Sequence, residues 1–254
     1  MNGTVAGTAY VTGGSSGIGL AIARALLARG WNVSICGRDA AKLERVWAEL
    51  ELLAGRSLSG PAPKGDSNKG SAVGKVYAEP ADVSKEHEVR RWIASSNDRL
   101  GPPDLLVNNA GVGTWTEITL LGEDDWDRMM NVNLKGAFLC TREVLPLMRR
   151  KGGGYVVNIA SLSGKKGMAG GAAYCASKFG MVGFTESLLA EEKKNNIRAT
   201  AICPGYVATP MVDDAGVPAG EMIQPEDIAH TVLYLLELTS KVIVKEIVVE
   251  RIGA

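Results

Sequence analysis

Histidine and cysteine are scarce in this chain, and net charge is absent. The two histidines, His87 and His230, belong to no ligand-spaced cluster, so a zinc site is not expected. The four cysteines, Cys36, Cys140, Cys175 and Cys203, form no C-x-x-C pair, and each sits in an apolar stretch. They read as reduced core thiols of a cytosolic protein. Lys plus Arg number 28 and Asp plus Glu number 28, a balance that removes the long-range field of a nucleic-acid binder. No apolar run approaches the ~20 residues of a membrane helix. The start of the chain, Met1 to Ala6, lacks the basic and apolar regions of a signal peptide. A cytoplasmic protein without nucleic-acid or membrane partners is expected.

What is present is globular. The 254 residues are 46% hydrophobic and 22% charged, enough to build a core without disulfide or metal. Short apolar runs at Thr8–Val11, Asn32–Ile35, Lys75–Glu79, Leu105–Val107, Tyr155–Ile159, Arg198–Ile202 and Val242–Glu250 read as strands. Several are continuously apolar, as parallel strands covered on both faces are. Between them, Gly19–Arg29, Ala40–Leu53, Glu86–Leu100, Asp125–Arg150, Ser177–Asn195 and Pro225–Leu238 carry helical patterns; Pro225, Glu226 and Asp227 are a helix-start signal. The alternation predicts an α/β fold, a doubly wound, seven-stranded parallel sheet with helices on both faces. A single domain over 1–254 is expected, interrupted at Gly55–Lys75 by a surface insertion rich in Gly, Ser, Pro and Lys.

The first strand candidate runs into Thr12-Gly13-Gly14-Ser15-Ser16-Gly17-Ile18-Gly19, and a helix follows. Glycines permit a tight turn and let backbone approach a pyrophosphate, while the helix start offers free N–H groups and partial positive charge. The same turn could serve only to pack helix on strand. The second strand ends in Cys36-Gly37-Arg38-Asp39. Small Gly37 leaves room for an adenosine ribose, and Arg38 can pair a 2′-phosphate through two N–H groups, which favours NADP over NAD. Asp39 could bond an NAD ribose or cap the next helix.

Tyr174-Cys175-Ala176-Ser177-Lys178 sets a phenol and an ammonium four residues apart, on one helix face. A free phenol titrates at about 10. A nearby ammonium and a cationic nicotinamide both favour phenolate, so the Tyr174 pKa is expected to fall. Ser161 follows the strand Tyr155–Ile159 and can reach the same pocket.

Taken together these motifs resemble the short-chain dehydrogenase/reductase family, in its compact single-domain branch. The resemblance is carried by Thr12–Gly19, Asp82-Val83, Asn108-Asn109-Ala110-Gly111, Asn131-Val132-Asn133, Ser161, Tyr174–Lys178, Pro204-Gly205 with Thr209, and Pro225–Ala229. It implies a Rossmann-like fold and NADP, or NAD, as cofactor. It implies Tyr174 as general acid in carbonyl reduction or base in alcohol oxidation, and Ser161 as holder of the substrate oxygen. Ser163 is the less suitably spaced alternative. Lys178 would lower the Tyr174 pKa and hold the nicotinamide ribose, and Asn133 would kink its helix and bind a water leading to Lys178. For the cofactor the resemblance implies Gly13, Ser15, Ser16, Gly17, Ile18, Gly19, Gly37, Arg38, Asp82, Val83, Asn109, Ala110, Gly111, Tyr174, Lys178, Pro204, Gly205, Val207 and Thr209. Asp82 would accept from the adenine amino group, or only cap its helix. Pro204, Gly205, Val207 and Thr209 would grip the carboxamide.

Two departures stand out. Ser16 occupies a position where many NADP users of the family carry Arg or Lys. The C-terminus lacks the Asp-Gly-Gly ending of many bacterial ketoacyl reductases. Tyr206–Gln224 is expected to cover the site as a lid, with Met211, Val212, Met222 and Ile223 as apolar candidates. Trp115 and Leu162–Met168 are candidate walls, and no Arg stands out as a carboxylate clamp. The expected substrate is a modest ketone or aldehyde with an apolar body, or the corresponding secondary alcohol. Apolar residues Phe179, Met181, Phe184, Leu188 and Leu189 suggest a symmetric homo-oligomer, a dimer or tetramer. The rival enzyme reading is a 3-oxoacyl-[acyl-carrier-protein] reductase, docking its carrier through Arg149-Arg150-Lys151; a non-catalytic dinucleotide sensor is the rival class.

Overall fold

The computed structural model describes residues 6–56, 74–212 and 216–253. Seven parallel strands, β1 Thr8–Thr12, β2 Asn32–Gly37, β3 Val76–Pro80, β4 Leu105–Asn108, β5 Gly154–Ile159, β6 Ile197–Pro204 and β7 Glu246–Val249, form one sheet in the order 3-2-1-4-5-6-7. This is the doubly wound, Rossmann-like arrangement that the alternating pattern predicts. The helices are α1 Gly17–Leu27, α2 Ala40–Arg56, α3 Glu86–Leu100, α4 Glu123–Met129, α5 Gly136–Lys151, α6 Ala172–Glu192 and α7 Pro225–Glu237. Most of the insertion expected at Gly55–Lys75, residues 57–73, lies outside the described residues.

Strand alternation divides the core into two layers. Ala9, Val11, Val33, Ile35, Leu105 and Val107 face α1, α2 and α7 through Ile22, Leu26, Leu50 and Val232. Tyr10, Cys36, Leu106 and Val156 face α3, α5 and α6 through Trp92, Val144, Met148 and Leu188. Both faces are therefore dry, which is why the strands read as unbroken apolar runs. The register pairs Thr12 with Cys36, Asn108 with Asn158, and Ile159 with Ile202. The carboxyl ends of the central strands thus finish at one level. β1 stands between β2 and β4, where the chain reverses its direction of progress across the sheet, and a crevice opens there.

Three elements differ from their sequence patterns. The expected helix Asp125–Arg150 is broken at Met130–Lys135 by a π-helical turn between α4 and α5. Asn133 in that turn is fully buried and bonds the backbone of Val112 instead of pointing outward. The expected strand Val242–Glu250 pairs only over Glu246–Val249, because a turn closes earlier with Val242 N–H donating to the Thr239 carbonyl. The helix expected at Ser177–Asn195 begins at Ala172 and ends at Glu192 in a 3₁₀ turn that Asn196 terminates at φ +56°. Of the apolar residues expected to face a partner, Met181, Leu188 and Leu189 are core, while Phe179 is exposed. No helix among the described residues is long and apolar enough to cross a membrane, and none of them form a metal-ligating cluster.

Candidate active site

The turn between β1 and α1 is shaped by what its glycines lack. Gly13 sits at φ +65°, a conformation costly for any residue with a Cβ. A side chain on Gly19 would overlap the Gly13 carbonyl. Gly19 therefore stays behind the turn, while Gly13, Ser15, Ser16, Gly17 and Ile18 line the crevice. Ser16 is extended at φ −166° and its side chain caps nothing, so the first N–H groups of α1 have no side-chain partner. Those N–H groups and the helix dipole suit an anion. A Cβ on Gly17 would lie 2.9 Å from Thr209 Cγ2, so the segment after β6 closes directly over the turn.

Thr12 holds the floor. Its hydroxyl accepts the N–H groups of Asn109 and Ala110, both at 2.9 Å, pinning the β4 exit to the β1 exit. The Asn109 side chain donates to the Thr12 and Gly13 carbonyls at 2.9 and 3.2 Å. Asn109 is thus committed to the turn backbone, and it lines the crevice from that position.

At the β2 exit, Asp39 Oδ1 accepts the Lys42 N–H at 2.9 Å and caps α2. Asp39 thus caps α2 through one oxygen and also lines the crevice. Arg38 and Lys42 both line the crevice beside Gly37, whose missing side chain accommodates Ser15 Oγ. Asp82 accepts from the Ser84 hydroxyl at 2.7 Å and from its N–H at 3.0 Å, so it too shapes a turn. Burial pushes the Asp82 carboxyl up, but the Ser84 bonds together with Arg38 and Lys85 bring it below its ordinary value. Asp82 and Val83 line the crevice nonetheless.

The same cavity, about 620 Å³, continues past Ala110 and Gly111 to Ser161, Tyr174, Lys178, Pro204, Gly205, Val207 and Thr209. Tyr174 and Lys178 stand one turn apart near the start of α6, and both are buried. Lys178 Nζ donates to the Ile159 carbonyl at 2.9 Å and lies 5.6 Å from the Tyr174 ring centre. Burial pushes this amine down to about 8. Burial pushes the Tyr174 phenol up to about 12, partly opposed by a hydrogen bond with Ser161. The expected fall of the Tyr174 pKa is therefore corrected: in the chain itself the dry setting raises it instead of lowering it, opposed only by the Ser161 bond. Ser161 Oγ accepts the Ser163 N–H at 3.1 Å; Ser163 Oγ turns instead to Met168 Sδ at 3.5 Å.

Asn133 does not line the cavity. It sits behind Gly111, where its Oδ1 accepts the Val112 N–H at 2.8 Å and its Nδ2 donates to the Val112 carbonyl and Ser177 Oγ, each at 2.9 Å. Of the lid candidates, Met222 and Ile223 are buried in the body, and the Tyr206 and Ile223 backbones bond each other. Met211 and Val212 remain in the cavity wall. Residues 213–215 lie outside the described residues. Sequence reasoning missed Thr12, Lys42, Arg128 and Ser177. Lys42 was readable as the second cation, four residues after Arg38 in a helix start; the others act through contacts distant in sequence.

With this geometry in place, the comparisons are specific. The model of the short chain dehydrogenase family matches residues 7–61 and 61–217. A D-beta-hydroxybutyrate dehydrogenase of Rhizobium meliloti is 37% identical over 206 residues, covering 81% of this chain and 73% of that protein. A 3-oxoacyl-[acyl-carrier-protein] reductase of Synechocystis is 32% identical over 243 residues, covering 92% and 91%. The solved alcohol dehydrogenase of the archaeon Thermococcus sibiricus, complexed with 5-hydroxy-NADP, superimposes with a TM-score of 0.83 at 28% identity over 96% of each chain. The chain belongs to the short-chain dehydrogenase/reductase family, whose members use NAD(P). It is an oxidoreductase acting on CH–OH groups.

Proposed function

We propose that this enzyme is an NADP-dependent carbonyl reductase or alcohol dehydrogenase, with Tyr174 as its general acid and base. One observation carries the reading: the uncapped α1 start, the Arg38–Lys42 pair and the Ser161–Tyr174–Lys178 cluster share a single cavity. Bound NADP(H) would supply or accept the hydride. Arg38 and Lys42, which line the crevice with Asp39, would hold the 2′-phosphate. The turn Gly13–Gly19 would hold the pyrophosphate. Asp82, Val83, Asn109, Ala110 and Gly111 would line the adenosine side, and Pro204, Gly205, Val207 and Thr209 the carboxamide.

In reduction, Ser161 Oγ–H and Tyr174 Oη–H donate to the substrate carbonyl oxygen. Tyr174 passes its proton to that oxygen as it becomes an alkoxide. Lys178 stabilises the phenolate left behind, a role its buried charge performs only when an anion appears beside it. Asn133 holds Val112 and Ser177, the neighbours of Gly111 and Lys178, from behind. In oxidation the same proton returns to Tyr174. Tyr174→Phe is expected to lower kcat by at least about 10³-fold while NADPH binding, followed by fluorescence, persists. Retained turnover would overturn the assignment.

The carrier-protein reductase reading is weakened by its own docking patch. Arg149 pairs with buried Glu192, and Lys151 pairs with Asp104 at 2.7 Å, leaving Arg150 alone. Faster reduction of an acetoacetyl thioester than of simple ketones would favour that reading. Exposed Phe138 on α5 and Phe179 on α6 support assembly of a homodimer or homotetramer through these helices, and light scattering tests it. The described residues are read as one dinucleotide-binding domain of a cytoplasmic enzyme.

A further inference from the structure

We propose that Trp115 is a specificity-determining residue. Its indole, laid over Gly113 beside the Tyr174 ring, is the wall on which a flat apolar ring of an uncharged ketone packs. The substrate class is therefore aryl or cyclic ketones and their alcohols. The inference rests on the reading of Tyr174 as proton donor.

The seat of the indole is built into the backbone. A Cβ on Gly113 would fall 2.5 Å from Trp115 Cη2 and 3.0 Å from Cζ3. Gly113 does not occupy the left-handed region, so its backbone would accept a side chain; the indole is what excludes one. From this seat the Trp115 ring centre lies 5.6 Å from that of Tyr174, the planes tilted by 43°. Tyr174 is 9% exposed, yet Trp115 itself keeps 42% of its surface open. The indole borders Gly113 and Tyr174, which line the cavity, and its open surface is available to a ligand that enters there.

The surroundings repeat the device. Met168 folds over Gly171, where a Cβ would lie 2.6 Å from its Cγ, and it too stays partly exposed. The two segments are tied together by Thr116 N–H donating to the Gly170 carbonyl at 2.9 Å. Two nearby cations are engaged. Arg128, in the cavity wall, donates to Thr114 Oγ1 at 2.7 Å and to Asp125 at 3.0 Å, and Lys165 pairs with Glu246 at 2.9 Å. A carboxylate or phosphate on the substrate would have to break these pairs, whereas an aromatic ring needs only the open indole.

The test is steady-state kinetics with NADPH on a phenyl alkyl ketone and a straight-chain ketone of equal carbon count, using the full chain and Trp115→Ala, Trp115→Phe and Gly113→Ala. The native enzyme should prefer the aryl ketone. Trp115→Ala should lower the aryl-to-alkyl ratio of kcat/KM by about tenfold, chiefly through KM. Trp115→Phe should restore most of the ratio, and Gly113→Ala, which unseats the indole, should lower it. Opening Tyr174 to water should also move the alkaline limb of the reduction profile to lower pH in Trp115→Ala, which a purely structural role would not do. A ratio unchanged within twofold in both Trp115→Ala and Gly113→Ala, or a native preference for the straight chain, would overturn the proposal. Failure of the Tyr174 reading looks different: Tyr174→Phe would then turn over both ketones.

Discussion

Lys178 and Tyr174 are neighbours on one helical turn: the ammonium of Lys178 lies 5.6 Å from the centre of the phenol ring and donates to the Ile159 carbonyl. A charge buried without a carboxylate is costly, and the cost appears as an amine pushed down to about 8.

Replacing Lys178 with Met is therefore expected to stabilise the cofactor-free protein while abolishing turnover. Because burial lowers its pKa in the folded chain from 10.5 to about 8, the folded state binds fewer protons than the unfolded one between those values. Stability of the native protein should rise with pH across that window. The gain from Lys178→Met should be largest below pH 8, at up to about 3 kcal/mol, and fade towards pH 10.5. Denaturant unfolding at pH 7 and pH 9.5 measures it; equal gains at both would remove the buried charge as its cause.

Arg38 and Lys42 both line the crevice at the β2 exit. Arg38→Ala should reduce the NADPH-to-NADH ratio of kcat/KM by about 10- to 100-fold, the value of a charge-assisted hydrogen bond or two. Lys42→Ala should reduce it less, and the double variant should use both cofactors alike. Cofactor titrations at constant ionic strength decide this, since surface charge effects are screened by salt.

Thr12→Val keeps shape and removes one hydroxyl. The N–H groups of Asn109 and Ala110 would lose their acceptor, the buried hydroxyl of Thr12, at the partly buried floor of the crevice. A loss of about 2–4 kcal/mol in unfolding free energy is expected, with weaker dinucleotide binding because the turn at Gly13 is tied to the same strand exit. Unchanged stability would mean that water replaces the hydroxyl.

What could be read from the sequence was what local chemistry decides. Strand positions followed from unbroken apolar runs, the anion turn from glycine spacing, the start of α7 from Pro225, and the phenol–ammonium pair from a four-residue interval. Lys42 apart, which stands four residues after Arg38, the misses involve groups brought together by the fold. Thr12 looks like an ordinary strand threonine until β4 arrives beside it, 97 residues on. The 3.6-residue periodicity carries no mark of the π-helical turn at Met130–Lys135; only the family resemblance implied a kink at Asn133, which Val112, 21 residues away, holds in place. Nor does a spacing disclose dryness, and dryness is what sends the Tyr174 pKa up instead of down.

The π-helical turn also fixes a count. Such a turn houses one more residue than regular helix between the same two ends. Deleting a single residue from Met130–Lys135 would let α4 and α5 fuse into one uniform rod while both ends keep their facing. Met129 would stay against Tyr174 and Arg128 by Thr114, but Asn133 would lose its place opposite Val112. The extra residue thus serves the Val112 backbone and not the direction of α4, so shortening here should break that clamp and spare the flanking contacts.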